Sequence, residues 1–163
     1  MGLDMYMFLK KSEYKSTYEQ EYYKGLYPEE MKQFEEEIAK RNFVSVDYEV
    51  SCQVAYWRKA NAIHKWIVDN CADGRDECQE IYMPIDKLIE LKKICGDVLE
   101  NHSLAKDLLP TCEGFFFGGQ EYDEWYYTDV KYTYDILTKL INFLNEHSNG
   151  IRHRYEVIYN ASW

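Results

Sequence analysis

The chain has 163 residues, of which 46% are apolar and 17% aromatic, and its formal net charge is −10. This length and apolar content predict one folded domain over residues 1–163 and exclude a disordered chain, which requires low hydrophobicity. No apolar run approaches the roughly 18 residues of a membrane span, so we expect no membrane partner. The excess of acids argues against broad nucleic-acid binding, because a duplex repels a surface of its own sign.

The first third of the chain is predicted to contain one strand, one long loop and one helix. Residues 3–9, LDMYMFL, combine apolar and aromatic side chains as strands do. Residues 10–27 are polar and rich in tyrosine without a clean period, and are expected to form a loop. Pro28 is then placed to begin a helix, with acids in its first turn.

The next segment is predicted to be a helix of about six turns over residues 47–70. Its apolar positions recur at spacings of three and four, and two polar residues fall on the same stripe. The stripe consists of Val50, Val54, Trp57, Asn61, His64 and Val68. In this helical phase Arg58 and Lys65 lie one heptad apart along one border of the stripe.

The second half of the chain is predicted to be mostly helical. The expected elements are an extended segment at 80–83, a helix beginning at Pro84, a short helix at 104–109, a strand or tight loop at 114–119, a helix over 121–147 and a closing strand over 151–159. Together these elements predict a mainly helical α+β domain. Its two long helices, 47–70 and 121–147, would pack on a small antiparallel sheet made by the terminal strands.

Residues 56–66, YWRKANAIHKW, form a basic and aromatic segment in an otherwise acidic chain. A buried amide or imidazole without a partner costs about 1–3 kcal/mol, so something must bond to Asn61 and His64. In one interpretation the protein core does so, for example with Asp123 or Asp129 beside His64.

In the other interpretation the same residues form an anion pocket. Arg58 and Lys65 would hold phosphate, and Trp57 would stack on a base. Asn61 and His64 would then contact the polar edges of the ligand.

A second group of residues precedes the last helix, in GFFFGGQEYDEWYY. Two glycines before a helix expose backbone N–H groups, which suits anions, but no P-loop signature follows and the nearby acids would repel phosphate. One interpretation is a tight turn followed by core aromatics. The other is an aromatic cleft facing the basic helix. Its acids Glu121, Asp123 and Glu124 would bind amine or hydroxyl groups of the ligand, or pair with Arg58 and His64, and Tyr122 or Trp125 would stack on the ligand.

Nothing in the sequence indicates a metal or another cofactor. The five cysteines are widely spaced, and neither a CxxC nor an HxxxH pair occurs, so we expect structural thiols and no metal site. No nucleophile or metal motif supports catalysis, which favours a binding protein over an enzyme. A His64–carboxylate pair keeps a hydrolase acting on a nucleotide as an alternative.

The strings MGLDMY, YWRKANAIHKW and GFFFGGQEYDEWYY, with the terminal Ser162–Trp163, resemble a family of small phage and prophage proteins of unassigned function. The resemblance implies a phage-encoded accessory protein in the cytoplasm of a bacterial host. Such proteins often counter host defences, some by sequestering signalling nucleotides and others by blocking a host enzyme with an acidic surface.

We therefore expect a protein that captures a small anionic, nucleotide-like molecule. The alternatives are an acidic inhibitor that binds a host protein and the nucleotide hydrolase. The expected partners are a small anionic ligand or a host protein. A homodimer is also compatible with the aromatic content, since exposed aromatic patches mark interfaces.

Overall fold

A computed structural model describes the protein over most of its length. The described residues are 2–14, 36–37, 40–41, 47–115, 117–147 and 154–163.

Within these ranges, the secondary structure comprises four strands, four α-helices and one 3-10 turn. In chain order they are β1 (Asp4–Tyr14), β2 (Asp47–Arg58), α1 (Asn61–Cys71), β3 (Ile81–Tyr82), α2 (Ile85–Glu100), the 3-10 turn (His102–Leu104), α3 (Ala105–Leu108), α4 (Glu124–His147) and β4 (Arg154–Ser162).

The four strands form one antiparallel sheet in the order β2-β1-β4-β3. Strand β1 lies between β2 and β4, and its inward side chains meet buried partners on both. Met5 pairs with Trp57, and Met7 pairs with Ala55 on one side and Tyr159 on the other. The predicted α+β class is confirmed, with both terminal strands in the sheet. The sheet is larger than expected, because β2 and β3 join it.

The prediction of one helix over residues 47–70 is wrong in its first half. Residues 47–58 are strand β2, paired with β1 along its whole length, and the helix begins only at Asn61. Val50, assigned to the buried stripe, is 65% exposed, whereas Ala55 and Trp57 are buried at the spacing of two that a strand gives. The spacing of three and four in this segment was coincidental, because cross-strand pairing decides its conformation.

Lys59 makes the turn between strand β2 and helix α1. Its φ of 63° lies in the left-handed region, and its backbone N–H donates to the carbonyl of Leu3 at 2.8 Å. The turn lets the next residues enter a helix whose inward side chains, from Asn61 to Val68, are mostly buried.

The two longest helices, α2 and α4, pack against each other and contribute their apolar faces to the core. Their buried inward residues are Leu88, Leu91, Cys95 and Val98 in α2, and Tyr126, Val130, Thr133, Leu137, Leu140 and Ile141 in α4. Helix α4 begins three residues later than predicted, at Glu124. The Asp123 carboxylate accepts the backbone N–H groups of Trp125 and Tyr126 at 3.0 and 3.1 Å, which is a typical helix N-cap.

Other predicted boundaries shift by a few residues. Strand β1 continues to Tyr14, so the predicted loop 10–27 begins as a strand. The rest of that loop, and most of the helix predicted from Pro28, lie outside the described residues. Of the segment predicted as a strand or tight loop, residues 114–115 and 117–119 lie in a loop, in which the Phe117 N–H donates to the Gly114 carbonyl at 3.1 Å.

None of the helices in the described ranges combines the length and the apolar character needed to cross a membrane.

Candidate functional site

Trp57 is a core residue. It is 2% exposed, and its indole N–H donates to the Thr133 hydroxyl at 2.9 Å. The indole therefore joins strand β2 to helix α4 and presents no face for a ligand.

His64 is buried in helix α1, with 1% of its surface exposed, and both ring nitrogens have protein partners. Nδ1 lies 2.7 Å from the Tyr159 hydroxyl and Nε2 lies 3.0 Å from the Asp76 carboxylate. A carboxylate accepts, so Nε2 carries the proton and Nδ1 accepts from the Tyr159 O–H. The core interpretation of His64 is correct, but its carboxylate partner is Asp76 instead of Asp123 or Asp129. With both nitrogens engaged, the geometry does not favour the hydrolase.

Asn61 begins helix α1, is 4% exposed, and ties the loop before α4 to that helix. Its amide nitrogen donates to the carbonyls of Phe117 and Gly119 at 3.1 and 2.8 Å. Its carbonyl oxygen accepts the backbone N–H of Cys112 at 3.2 Å. The protein thus bonds to every polar atom of this side chain, and we define the segment that it holds, residues 112–115 and 117–119, as the clasped loop.

Lys65 and Tyr122 lie away from Arg58. Lys65 pairs with Asp69 one turn later on the surface of α1, and it shares no helix with Arg58, so the predicted heptad relation between them is wrong. The Tyr122 hydroxyl accepts the Thr111 N–H at 3.3 Å, and its ring packs edge-on against Tyr126 at 4.9 Å between centroids. Neither side chain lines the cavity described next.

A cavity of about 330 Å³ opens between the end of β2, the start of α1, the clasped loop and the first turns of α4. It brings together four of the residues singled out from the sequence, namely Arg58, Asn61, Asp123 and Trp125. Glu121, predicted to belong to the aromatic cleft, also lines the cavity, together with two charged residues that the sequence analysis did not assign to a ligand site, Lys59 and Asp129.

One wall of the cavity is cationic, formed by Arg58 and Lys59. The two side chains converge on buried Gly2, where an added Cβ would lie 3.1 Å from Lys59 Cε and 3.9 Å from Arg58 Nη2. Asp4 stands opposite Arg58 in the sheet, but its carboxylate accepts the Tyr56 hydroxyl at 2.5 Å. Among the described residues, no acid pairs with either cation.

The part of the lining that comes from α4 and the segment before it is acidic and contains Glu121, Asp123 and Asp129. Burial, with a contribution from the Asp123 charge, raises the pKa of Asp129 to about 6. Asp123 is engaged as the cap of α4, whereas the Asp129 carboxylate has no hydrogen bond within the described part of the chain. Trp125 lines the same cavity and is 79% exposed. Its free indole face is available for stacking, unlike that of Trp57.

The sequence contains features that could have identified the two residues not assigned to the site, Lys59 and Asp129. Lys59 follows Arg58 directly, but the assumed helix turned it away from the stripe. Asp129 follows Tyr126 by three positions and precedes Val130, so it borders the buried face of α4. The sequence analysis predicts a role for Asp129 only as a hydrogen-bond partner of His64.

The described residues contain no group of three or more His, Cys, Asp or Glu side chains that could hold a metal ion. All five cysteines lie in the described ranges and are unpaired. Burial raises the pKa of Cys71 to about 11 and that of Cys95 to about 12, which leaves these thiols unreactive.

Fold and site together define an α+β protein with a small cavity that is cationic on one wall and acidic on the other. No family model, curated protein or solved structure matches the chain.

Proposed function

We propose that the protein binds a small anionic, nucleotide-like ligand in the cavity between β2 and α4. Arg58 and Lys59 hold the anionic group and Trp125 stacks on the ring of the ligand. The observation that carries the proposal is that both cations line the cavity and that neither has an acidic partner among the described residues.

Four other cations in the described ranges, Arg75, Lys92, Lys106 and Lys139, also have no acidic partner, but none of them lines the cavity, and several more cations are paired with acids. On the helices, Lys65 pairs with Asp69, and two further lysines pair with acids four residues later, at 2.7 and 2.5 Å. In a chain with a net charge of −10, acids are abundant. Two adjacent cations without an acidic partner repel each other, and a bound anion would remove that repulsion.

The size of the cavity sets the class of ligand. A volume of about 330 Å³ is near the lower end of the range of about 300–1,000 Å³ usual for small-molecule sites. It suits one nucleotide unit better than an extended dinucleotide. Of the residues predicted to contact the ligand, the proposal keeps Arg58, Asp123 and Trp125, with Asn61 as a wall residue.

The biological role rests on the resemblance of the sequence to phage and prophage accessory proteins. It is the reason for proposing the bacterial host cytoplasm as the location and sequestration of a host signalling nucleotide as the role. Sequestration requires tight binding without turnover, which agrees with the engagement of both His64 ring nitrogens by protein groups.

The test is titration calorimetry with 3′,5′-cyclic AMP and ADP-ribose as probes. Arg58→Ala and Lys59→Ala are each expected to weaken binding about 10- to 100-fold, the usual value of a charged hydrogen bond. Affinity should also fall as salt is raised, because the contacts are ionic.

Lys65→Ala is the matched control, since it removes the same charge from a lysine that is paired with Asp69 and does not line the cavity. It should leave affinity unchanged. Equal losses in Lys59→Ala and Lys65→Ala, or no binding of either probe, would refute the proposal.

The acidic-inhibitor alternative is favoured by one observation. Trp125 is 79% exposed and directly follows the exposed Glu124, with the exposed Glu121 four positions before it. An exposed indole with an acidic surround suits a basic host surface. Pull-down from bacterial lysate separates the two functions. A stoichiometric protein partner that is lost with Trp125→Ala supports the inhibitor, while a small molecule that co-purifies and is lost with Arg58→Ala supports the ligand binder.

A further inference from the structure

Asp129 has a carboxylate that the protein leaves without a partner. Its backbone carbonyl accepts the Thr133 hydroxyl at 2.7 Å, but within the described ranges no hydrogen bond or ion pair reaches the carboxylate. The residue is half-buried and lines the cavity. Removing an ionised group from water without giving it a hydrogen bond costs free energy, so an unpaired carboxylate at this position needs a reason.

The charged groups around Asp129 do not supply that reason. Asp123 and Glu121 come from the segment before α4 and add negative charge, and Arg58 and Lys59 come from the end of β2 and the turn after it, without lowering the pKa of Asp129. Tyr126 also lines the cavity, but its hydroxyl donates to the Leu109 carbonyl at 2.8 Å. The pKa of Asp129 is raised to about 6 by burial first and by Asp123 second, with no cation lowering it. At neutral pH it is therefore an ionised acceptor without a donor.

We infer that Asp129 determines the specificity of this cavity by accepting a hydrogen bond from an uncharged N–H or O–H group of the ligand. The inference rests on the proposed function, because the anionic end of the same ligand is held by Arg58 and Lys59.

The chemistry of the two walls orients the ligand. A phosphate beside Asp129 would be repelled, so the phosphate lies at the cationic wall and the donor group lies at the acidic wall. A nucleotide offers such donors in two places, the exocyclic amine of its base and the hydroxyl of its ribose. A ligand with an anion but no donor opposite would leave the carboxylate unpaired and bind weakly.

The experiment uses three probes that each carry one phosphodiester charge. They are 3′,5′-cyclic AMP, its purine analogue without the exocyclic amine, and its 2′-deoxy analogue without the ribose hydroxyl. A phosphodiester has no second ionisation near pH 6, so it does not mask the titration of the protein. Affinities are measured by calorimetry at pH 5 and pH 7.5 for the wild-type protein, Asp129→Asn and Asp129→Ala, with denaturation midpoints confirming that each variant is folded.

We expect one analogue to bind the wild-type protein at least about 10-fold more weakly than cyclic AMP at pH 7.5, which identifies the donor. Asp129→Ala should abolish this difference, and Asp129→Asn, which keeps a neutral acceptor, should reduce it. Wild-type affinity for cyclic AMP should fall between pH 7.5 and pH 5, as the carboxylate is protonated, and neither variant should show this fall.

Two outcomes separate the inference from the proposed function. If Asp129→Ala keeps both the discrimination and the pH dependence while Arg58→Ala weakens all three probes, the inference is overturned and the binding function stands. If the wild-type protein binds none of the three probes, the proposed function is overturned and the inference with it.

Discussion

Replacing Asn61 by alanine should destabilise the protein by about 2–3 kcal/mol. The side chain makes two donor bonds, to Phe117 and Gly119, and one acceptor bond, from Cys112. Each such bond contributes about 1 kcal/mol. The loss stays near this sum, because the two freed carbonyls belong to half-buried and exposed residues and can turn to water. For a chain of this length the midpoint of thermal unfolding should fall by about 4–12 °C.

The assay is urea unfolding monitored by tryptophan fluorescence, with the slope m compared between variants to confirm a common denatured state. Asn61→Asp provides a volume-matched second variant. It keeps the acceptor for Cys112 but turns a carboxylate toward two carbonyl oxygens. Its loss of stability at pH 7 should therefore be at least as large as that of Asn61→Ala. Asn70→Ala is the control, because Asn70 bonds only to a carbonyl of its own helix and is exposed. Losses below about 1 kcal/mol for both Asn61 variants would refute the account of the clasped loop.

Three further outcomes are expected from unfolding measurements. Asp129→Asn should stabilise the protein by about 1–2 kcal/mol at pH 7 and by almost nothing at pH 4. The pKa raised from 3.8 to about 6 makes the folded state hold more protons in that window, so wild-type stability falls as pH rises through it. An equal stabilisation by Asp129→Asn at pH 4 and pH 7 would contradict this explanation. Thr133→Val should cost about 1–2 kcal/mol, because the buried Trp57 N–H loses its acceptor, and an unchanged urea midpoint would show that the bond contributes nothing. Gly118→Ala should destabilise by about 1–2 kcal/mol, since φ is +88° and a lysine Cβ lies 3.1 Å from the added atom. Gly119→Ala, with nothing within 4 Å, should stay within about 0.5 kcal/mol, so equal effects of the two glycine variants would rule out this explanation.

Local sequence patterns predicted the helical half of the fold well. Helices α2 and α4 follow their apolar spacing because their buried faces are long and regular, and proline and an acidic N-cap mark where they begin. Strand β2 was missed because its apolar residues Val50, Val54 and Trp57 also fit the spacing of four and three that is typical of a helix. Only its pairing with β1, some 45 positions away in the chain, makes it a strand.

The site was predicted only in part. The errors in that prediction also come from contacts between segments that are distant in the chain. Of the predicted site residues, Arg58 lines the cavity, whereas Trp57, predicted to stack on a base, is buried in the core. On the predicted helix the two side chains would belong to one patch, but on a strand neighbouring side chains face opposite sides. The inward position of His64 was also predicted correctly. Its partners Asp76 and Tyr159 could not be, because they come from a loop and from the last strand. Local periodicity indicates which way a side chain faces, and only the tertiary fold decides what it meets.

The left-handed backbone of Lys59 links the stability of the chain to its charge. A lysine at φ 63° gives up about 1 kcal/mol relative to glycine, the residue that adopts this conformation without steric cost. A turn optimised for folding alone would therefore end strand β2 with glycine and would erase half of the cationic wall. At this position, a residue that stabilises the turn therefore weakens the electrostatic field at the mouth of the cavity.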